Sequence, residues 1–244
     1  LVARHISGDR VSFSKLLETC GKKIPEFYET LYPDNNLLFG EMREHAGHTD
    51  LTSEADDKYT IYAERILANR KGTNYSSDLH EWWRYNYYDE LGIEPIPLTI
   101  KYQTGVYPNQ HPSRQLEYYL SNSNHVGKLV VIHGLNPGDP NYHKIFDLIS
   151  ASFDKATDAN LTVDEREIEA LRSYYLFSNL MPFERGSSTA ARIMLTFLGE
   201  HAGFKTYPDL EGTDLNLEAL LLDWQDFKSR YLQGQFSDKA STNE

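Results

Sequence analysis

The sequence predicts a mainly α protein with a short β-hairpin or small strand pair. Apolar residues recur at helical spacing along most of the 244-residue chain, and these runs open and close on capping residues. Extended-favouring sequence is confined to two stretches, PIPLTIKYQTGVY at 95–107 and KLVVIHG at 128–134. No internal repeat or low-complexity linker divides the chain. The expected organisation is an N-terminal segment over 1–50, a helical domain over 51–232 and a flexible tail over 233–244.

In chain order, short helices are expected near Phe13–Cys20 and Pro25–Tyr32, then a loop at YPDNN. A helix follows over Ser53–Gly72, where Ser53 and Asp56 resemble a capping box and Tyr59, Tyr62, Ala63, Ile66 and Leu67 mark one buried face. A second helix runs from Ser77 or Asp78 to Gly92, with Leu79, Trp83, Tyr87 and Leu91 recurring every fourth residue. The prolines at 95 and 97 keep the next stretch extended, and the β-branched run at 128–134 reads as a short strand. Asp139-Pro140 starts a helix that reaches about Ala156. Thr162 and Glu165 form a capping box for a helix that ends near Leu180, with Ile168, Leu171 and Tyr175 inward. After a break at Met181–Gly186, a helix opens at Ser187 or Ser188 and stops at Gly203. Asp214 or Asn216 caps a last helix with a stripe of Leu217, Leu220, Leu221, Trp224, Phe227 and Tyr231. Polar residues follow from Gln233 onward.

Composition narrows the function. Lys plus Arg is 24 and Asp plus Glu is 36, a formal net charge of −12. Such a chain lacks the electrostatic footprint of a non-specific nucleic-acid or anionic-membrane binder. No apolar run approaches the ~20 residues of a membrane span. The single cysteine, Cys20, excludes intrachain disulfides and a Cys-rich zinc site and suits a reducing compartment. His45 and His48 lie close in sequence, but no third ligand is evident, and no metal is expected.

The stretch MPFERGSSTAARIMLTFLGEHAGF, 181–204, carries the chemistry. It reads as helix, sharp loop and second helix, whose N-terminus holds Gly186, Ser187 and Ser188. Backbone N–H groups at such an end bind anions, and small residues let an anion come close. Arg185 adds a bidentate cation immediately before them, and Arg192 lies further along the same helix. Equally, Ser187 or Ser188 is an ordinary N-cap and Arg185 a solvated surface charge.

This segment is similar to the degenerate Fic motif of the Fido superfamily. Of HPFxxGNGRxxR, the chain keeps Pro182, Phe183, Gly186 and Arg192. Met181 stands for the catalytic His, Arg185 for the metal-binding acid, Ser187 for the Asn and Thr189 for the first Arg. The run Met181-Pro182-Phe183-Glu184-Arg185-Gly186-Ser187-Ser188 more closely resembles the M-P-x-x-R-G-S-A of AvrB-like proteins, bacterial effectors delivered into plant cells. His201-Ala202-Gly203, Pro208, Leu217–Leu220 and the Phe227, Arg230, Tyr231 ending extend the likeness, as does the tryptophan-bearing region of 50–110.

The resemblance implies a Fido-type helical core. It implies a glycosyltransferase that moves a deoxysugar, rhamnose, from a UDP- or dTDP-sugar donor to a threonine or serine hydroxyl of a protein acceptor. It implies action in the cytoplasm, or in a host cytosol after secretion. Arg185, with Gly186, Ser187, Ser188, Arg192 and Asn216, would bind the nucleotide. The family's last-helix Asp falls on Asn216, and Asp214 is its substitute two residues earlier. The family's threonine falls near Ile96 or Thr99. His133 would orient or deprotonate the acceptor hydroxyl, or is a strand-end residue with no catalytic role. Two alternatives remain: a catalytically inactive nucleotide- or peptide-binding module, and AMP transfer of the Fic type. AMP transfer would need a base where Met181 stands and a magnesium ligand where Arg185 stands.

Overall fold

The structure, a computed structural model, describes residues 11–31, 39–44, 47–50, 81–86, 97–104, 127–133, 135, 137–206, 209–210 and 213–236. The chain forms two compact units, Leu1–Gly47 with Leu135–Glu244, and His48–Gly134. The first unit is helical and the second carries a sheet, so the fold is mainly α. No helix among the described residues is long and apolar enough to cross a membrane.

The helical unit contains α1 (Phe13–Leu31), α2 (Pro140–Ala156), α3 (Val163–Leu180), α4 (Ser187–Ala202), α5 (Leu215–Leu221) and α6 (Trp224–Leu232). The helix α3 is central and packs against α2, α4, α5 and α6. Its first turn is polar, but every residue from Ser173 to Leu180 is buried. A helix apolar on one side only cannot be enclosed this way. Here three polar members of the buried half find partners, while the Ser178 hydroxyl is left without one. Ser173 donates to the Ile149 carbonyl at 3.3 Å, and Tyr175 donates to the Leu222 carbonyl at 3.0 Å. Asn179 donates to the Tyr175 and Ala219 carbonyls, both at 2.9 Å. Phe13, Phe153 and Phe177 fill the α1 side, and Tyr175, Trp224 and Phe227 the α6 side.

The caps follow the sequence. Asp139 accepts from the Asn141 amide at 2.8 Å with Pro140 at the first turn of α2. At the start of α3 the capping box is complete. The Thr162 hydroxyl accepts from the Glu165 amide, and the Glu165 carboxylate takes the Thr162 amide at 2.8 Å. Gly203, at φ 82°, ends α4 with its amide on the Gly199 carbonyl.

Four expectations are corrected. One continuous helix spans Phe13–Leu31 instead of two, with Pro25 inside it. Its buried residues, Phe13, Leu16, Cys20 and Ile24, form one stripe that runs up to the proline, so packing against α2 and α4 outweighs the missing amide. Glu81–Asn86 is a strand, not part of a helix. A four-residue repeat is also an even one, so such a sequence pattern suits a strand as well as a helix. The last helix is two, α5 and α6, because Leu222 is extended and Asp223 starts a new cap on the Asp226 amide. The chain after Gln233 does not leave the fold at once. Phe236 is buried, and its carbonyl accepts from the Leu210 amide at 3.0 Å.

The sheet unit has β1 (Gly47–Asp50), β2 (Glu81–Asn86), β3 (Pro97–Thr104) and β4 (Gly127–His133), in the order β1-β4-β3-β2. The two expected extended segments are β3 and β4. They pair antiparallel in unbroken register from Thr99↔Ile132 to Thr104↔Gly127. Pro97 opens β3, where a strand tolerates a missing donor best. β2 pairs antiparallel with β3, and its register shifts by one residue between Glu81 and Arg84, a bulge at Trp82 and Trp83. The helix expected over Ser53–Gly72, the pair Tyr87-Tyr88, His45 and Ile96 lie outside the described residues.

Pro25 has one local consequence. Without its amide the Gly21 carbonyl has no helix donor four residues on, and Gly40 packs onto that gap. A Cβ on Gly40 would lie 2.7 Å from the Gly21 oxygen and 3.0 Å from Pro25 Cδ, and Gly40 has φ 75°. Gly40→Ala is therefore expected to lower stability by about 1–3 kcal/mol. Equal denaturation midpoints for the two proteins would refute this contact. A second expectation concerns the α3 cap. The Thr162 amide and hydroxyl hold the Glu165 carboxyl below its ordinary value of 4.5. A lowered folded value gives stability that is complete above the ordinary range and is lost as pH falls through the folded value. The difference in thermal midpoint between wild type and Glu165→Ala is thus expected to be constant near neutrality and to shrink below the ordinary value of 4.5. A difference that persists undiminished to about pH 2 would contradict the charge-based cap.

Candidate functional site

The loop 181–186 leaves the buried end of α3. Met181 turns the chain with a left-handed backbone, φ 44°, and is half-buried. Phe183 is then driven back into the core, edge-on to Phe177 at 6.3 Å. Its backbone is held by one side chain. The Ser187 hydroxyl accepts from the Phe183 amide at 2.9 Å and donates to the Phe183 carbonyl at 3.0 Å. Gly186 precedes α4 at φ 88° and offers no side-chain cap.

A segment remote in sequence grips the other side of this loop. Residues 39–44 bridge to it at Phe39↔Arg185 and Met42↔Phe183. The Gly40 amide donates to the Arg185 carbonyl at 3.1 Å, the Glu184 amide to the Glu41 carbonyl at 2.8 Å, and the Arg43 amide to the Pro182 carbonyl at 2.7 Å. The Arg43 guanidinium donates to the Glu184 carbonyl at 3.0 Å and stands 3.7 Å from the Glu184 carboxylate. That carboxylate also accepts from the Glu44 amide at 3.2 Å.

Arg185 itself is exposed, and among the described residues its side chain makes no hydrogen bond or ion pair. Arg43 is only 9% exposed. Burial lowers its pKa first, Glu184 opposes that, and the repulsion of Arg185 lowers it further, so two guanidinium groups share one neighbourhood.

The N-terminus of α4 lies at the same place. Its first helix bond runs from the Ala190 amide to the Gly186 carbonyl, so the amides of Ser187, Ser188 and Thr189 precede the ladder. Ser188 is exposed and Ser187 buried. The small residues here also serve packing. A Cβ on Gly186 would lie 2.9 Å from Ile24 Cγ2 of α1, and the Tyr28 hydroxyl is 3.2 Å from the Thr189 hydroxyl, with Tyr28 stacked on Phe39. Ser187 is thus committed through its hydroxyl to the loop.

Arg192, Asp214 and Asn216 fall in a second polar group. Arg192 pairs with Asp209, whose other oxygen accepts from the Leu215 amide at 3.3 Å. Burial opposes the Arg192 charge, but Tyr174, Asp209 and Tyr231 together raise its pKa. Burial pushes the Tyr174 phenol up, with Asp214 and Asp209 adding to the shift and Arg192 opposing it. The Asp214 carboxylate caps α5, accepting from the Asn216 amide at 3.0 Å and the Leu217 amide at 3.1 Å. Asn216 is buried, and its side-chain oxygen has no hydrogen-bond partner. No described contact links this group to the Arg185 side chain. His133 is the last residue of β4, and Thr99 lies in β3, both in the sheet unit. Among the described residues, no group of three or more His, Cys, Asp and Glu side chains gathers to hold a metal ion.

The sequence reading passed over Arg43, Glu184 and Asp209. Arg43 and Glu184 meet across 141 residues, and no local pattern marks such a pair. No family model matches the chain, and no curated protein matches it in sequence. The likeness to AvrB-like proteins therefore rests on the quoted motifs.

The Ser187 hydroxyl bonds define its role. Ser187→Ala is expected to cost about 1–3 kcal/mol, since it leaves the buried Phe183 amide without a partner. Chemical denaturation measures the loss. A variant as stable as wild type would return Ser187 to the role of a replaceable helix-start residue.

Proposed function

We propose that the protein is a nucleotide-sugar-dependent glycosyltransferase whose diphosphate site is Arg185 with the Ser187 and Ser188 amides. The observation that carries this reading is an exposed guanidinium with no counter-ion among the described residues, beside the unladdered amides of α4. Developing negative charge on a leaving diphosphate is what such donors stabilise. In the reaction, the bond from the sugar's anomeric carbon to the diphosphate breaks, and a new bond forms to a threonine or serine hydroxyl of a protein acceptor. The hydroxyl proton passes to the released diphosphate or to solvent. The sugar carbon becomes cation-like, and a carboxylate nearby stabilises it. Asp214, whose carboxylate caps α5 through two amide hydrogen bonds, is the candidate. Rhamnose from a UDP- or dTDP-linked donor, and a plant-cell or cytosolic acceptor, are proposed on the family resemblance alone. The proposal draws on the helical unit and does not call on His133.

One observation favours a second reading, a module that binds a nucleotide without turnover. The Asp214 carboxylate already caps α5 and the Ser187 hydroxyl already closes the loop. Groups so committed suit a fixed binding site as well as a reacting one.

Incubation with UDP- and dTDP-rhamnose, read by mass spectrometry and by release of nucleoside diphosphate, separates the two. Transfer predicts a deoxyhexose mass gain on an acceptor or on the protein itself. Binding without diphosphate release would leave the module, and no binding would remove both. In calorimetric titrations with UDP, Arg185→Ala is expected to weaken binding by about 1.5–3 kcal/mol with little loss of stability, because the side chain is exposed. Equal affinity would take Arg185 out of the site.

A further inference from the structure

Glu184 precedes the one cation that the proposed site depends on. In an acidic chain its carboxylate is the counter-ion closest in sequence to Arg185. The structure holds it elsewhere: its oxygens face the Arg43 guanidinium at 3.7 Å and the Glu44 amide at 3.2 Å. Arg43 also fixes the Glu184 carbonyl at 3.0 Å, so side chain and backbone of Glu184 are held on the same partner.

We propose that Arg43 is a positioning residue for Arg185: it sequesters Glu184, so that Arg185 leaves the loop with its charge uncompensated. This rests on the reading of Arg185 as the diphosphate ligand. A clamp that needed only a hydrogen-bond donor would be met by an uncharged side chain. A buried arginine costs more, since desolvation and the repulsion of Arg185 both act against it. The charge has a use if its task is to occupy a carboxylate. Arg43 is 9% exposed and its Nε is buried without a partner, so the side chain is held by the fold in this place despite an unmet donor. Its backbone amide on Pro182 anchors it to the loop independently of the side chain.

The test measures UDP affinity by calorimetry at fixed salt, with thermal unfolding as the control for folding. Arg43→Gln keeps a donor for the Glu184 carbonyl but releases the carboxylate. It is expected to weaken UDP binding roughly three- to fivefold, the size of an exposed ion pair formed in competition. Adding Glu184→Gln to that variant removes the competing carboxylate and is expected to restore the affinity to within about twofold of wild type. A merely structural clamp predicts no such rescue. Unchanged affinity in Arg43→Gln, or a loss that Glu184→Gln does not restore, would overturn the inference while leaving the diphosphate site standing. Wild-type protein that binds no UDP would overturn the diphosphate site and this inference with it. Should Arg43→Gln not fold, Glu184→Gln alone decides. It is expected to hold or raise UDP affinity, and a loss of threefold or more overturns the proposal.

Discussion

Burial of the second half of α3 on all sides is the constraint from which the rest follows. Every residue from Ser173 to Leu180 is buried, and Ser173, Tyr175 and Asn179 find partners on neighbouring elements while the Ser178 hydroxyl is left unmet. An unmet buried donor costs about 1–3 kcal/mol. Asn179 and Tyr175 therefore do more than fill space. Asn179 takes the Ala219 carbonyl of α5, and Tyr175 takes the Leu222 carbonyl where α5 stops. Those two bonds fix where the α5–α6 corner sits, and Trp224 and Phe227 close over Tyr175 from the other side.

The same burial shapes the candidate site. A helix that ends deep in a core must bring its chain back to the surface quickly. Met181 does so at φ 44°, an uncommon backbone for a residue with a side chain. The next residues cannot form a helix or an ordinary turn, and their backbone groups are met from outside the loop by Ser187 and by residues 39–44. This cross-linking from two directions makes the loop a rigid platform. A rigid platform is what a charged side chain needs if it is to meet a ligand without first being ordered.

Electrostatics in the helical unit is partitioned. Asp209 and Arg192 neutralise one another beside Tyr174, and Glu184 is matched with Arg43. Arg185 is left exposed. In a chain with an excess of acids, a cation with no counter-ion among the described residues is a local exception to the overall field, which repels anions at long range. Recognition of a diphosphate would then depend on contact geometry at this loop more than on steering.

Sequence alone determined the local events. The Asp139 and Thr162 caps, the stop at Gly203, and the extended nature of β3 and β4 all depend on residues within about four positions of one another, where backbone geometry sets the outcome. The candidate loop was visible for the same reason: Arg185, Gly186 and Ser188 are neighbours in the chain. Tertiary structure decided what local rules left degenerate. A four-residue repeat around Trp83 fits helix and strand equally, and pairing with β3 chose the strand. Pro25 stays inside a helix because the stripe on α1 packs against α2 and α4. The break at Leu222 is stabilised by a hydroxyl 47 residues earlier. Arg43 and Glu184 meet over 141 residues, since burial and charge pairing act through space and leave no periodic trace in the sequence.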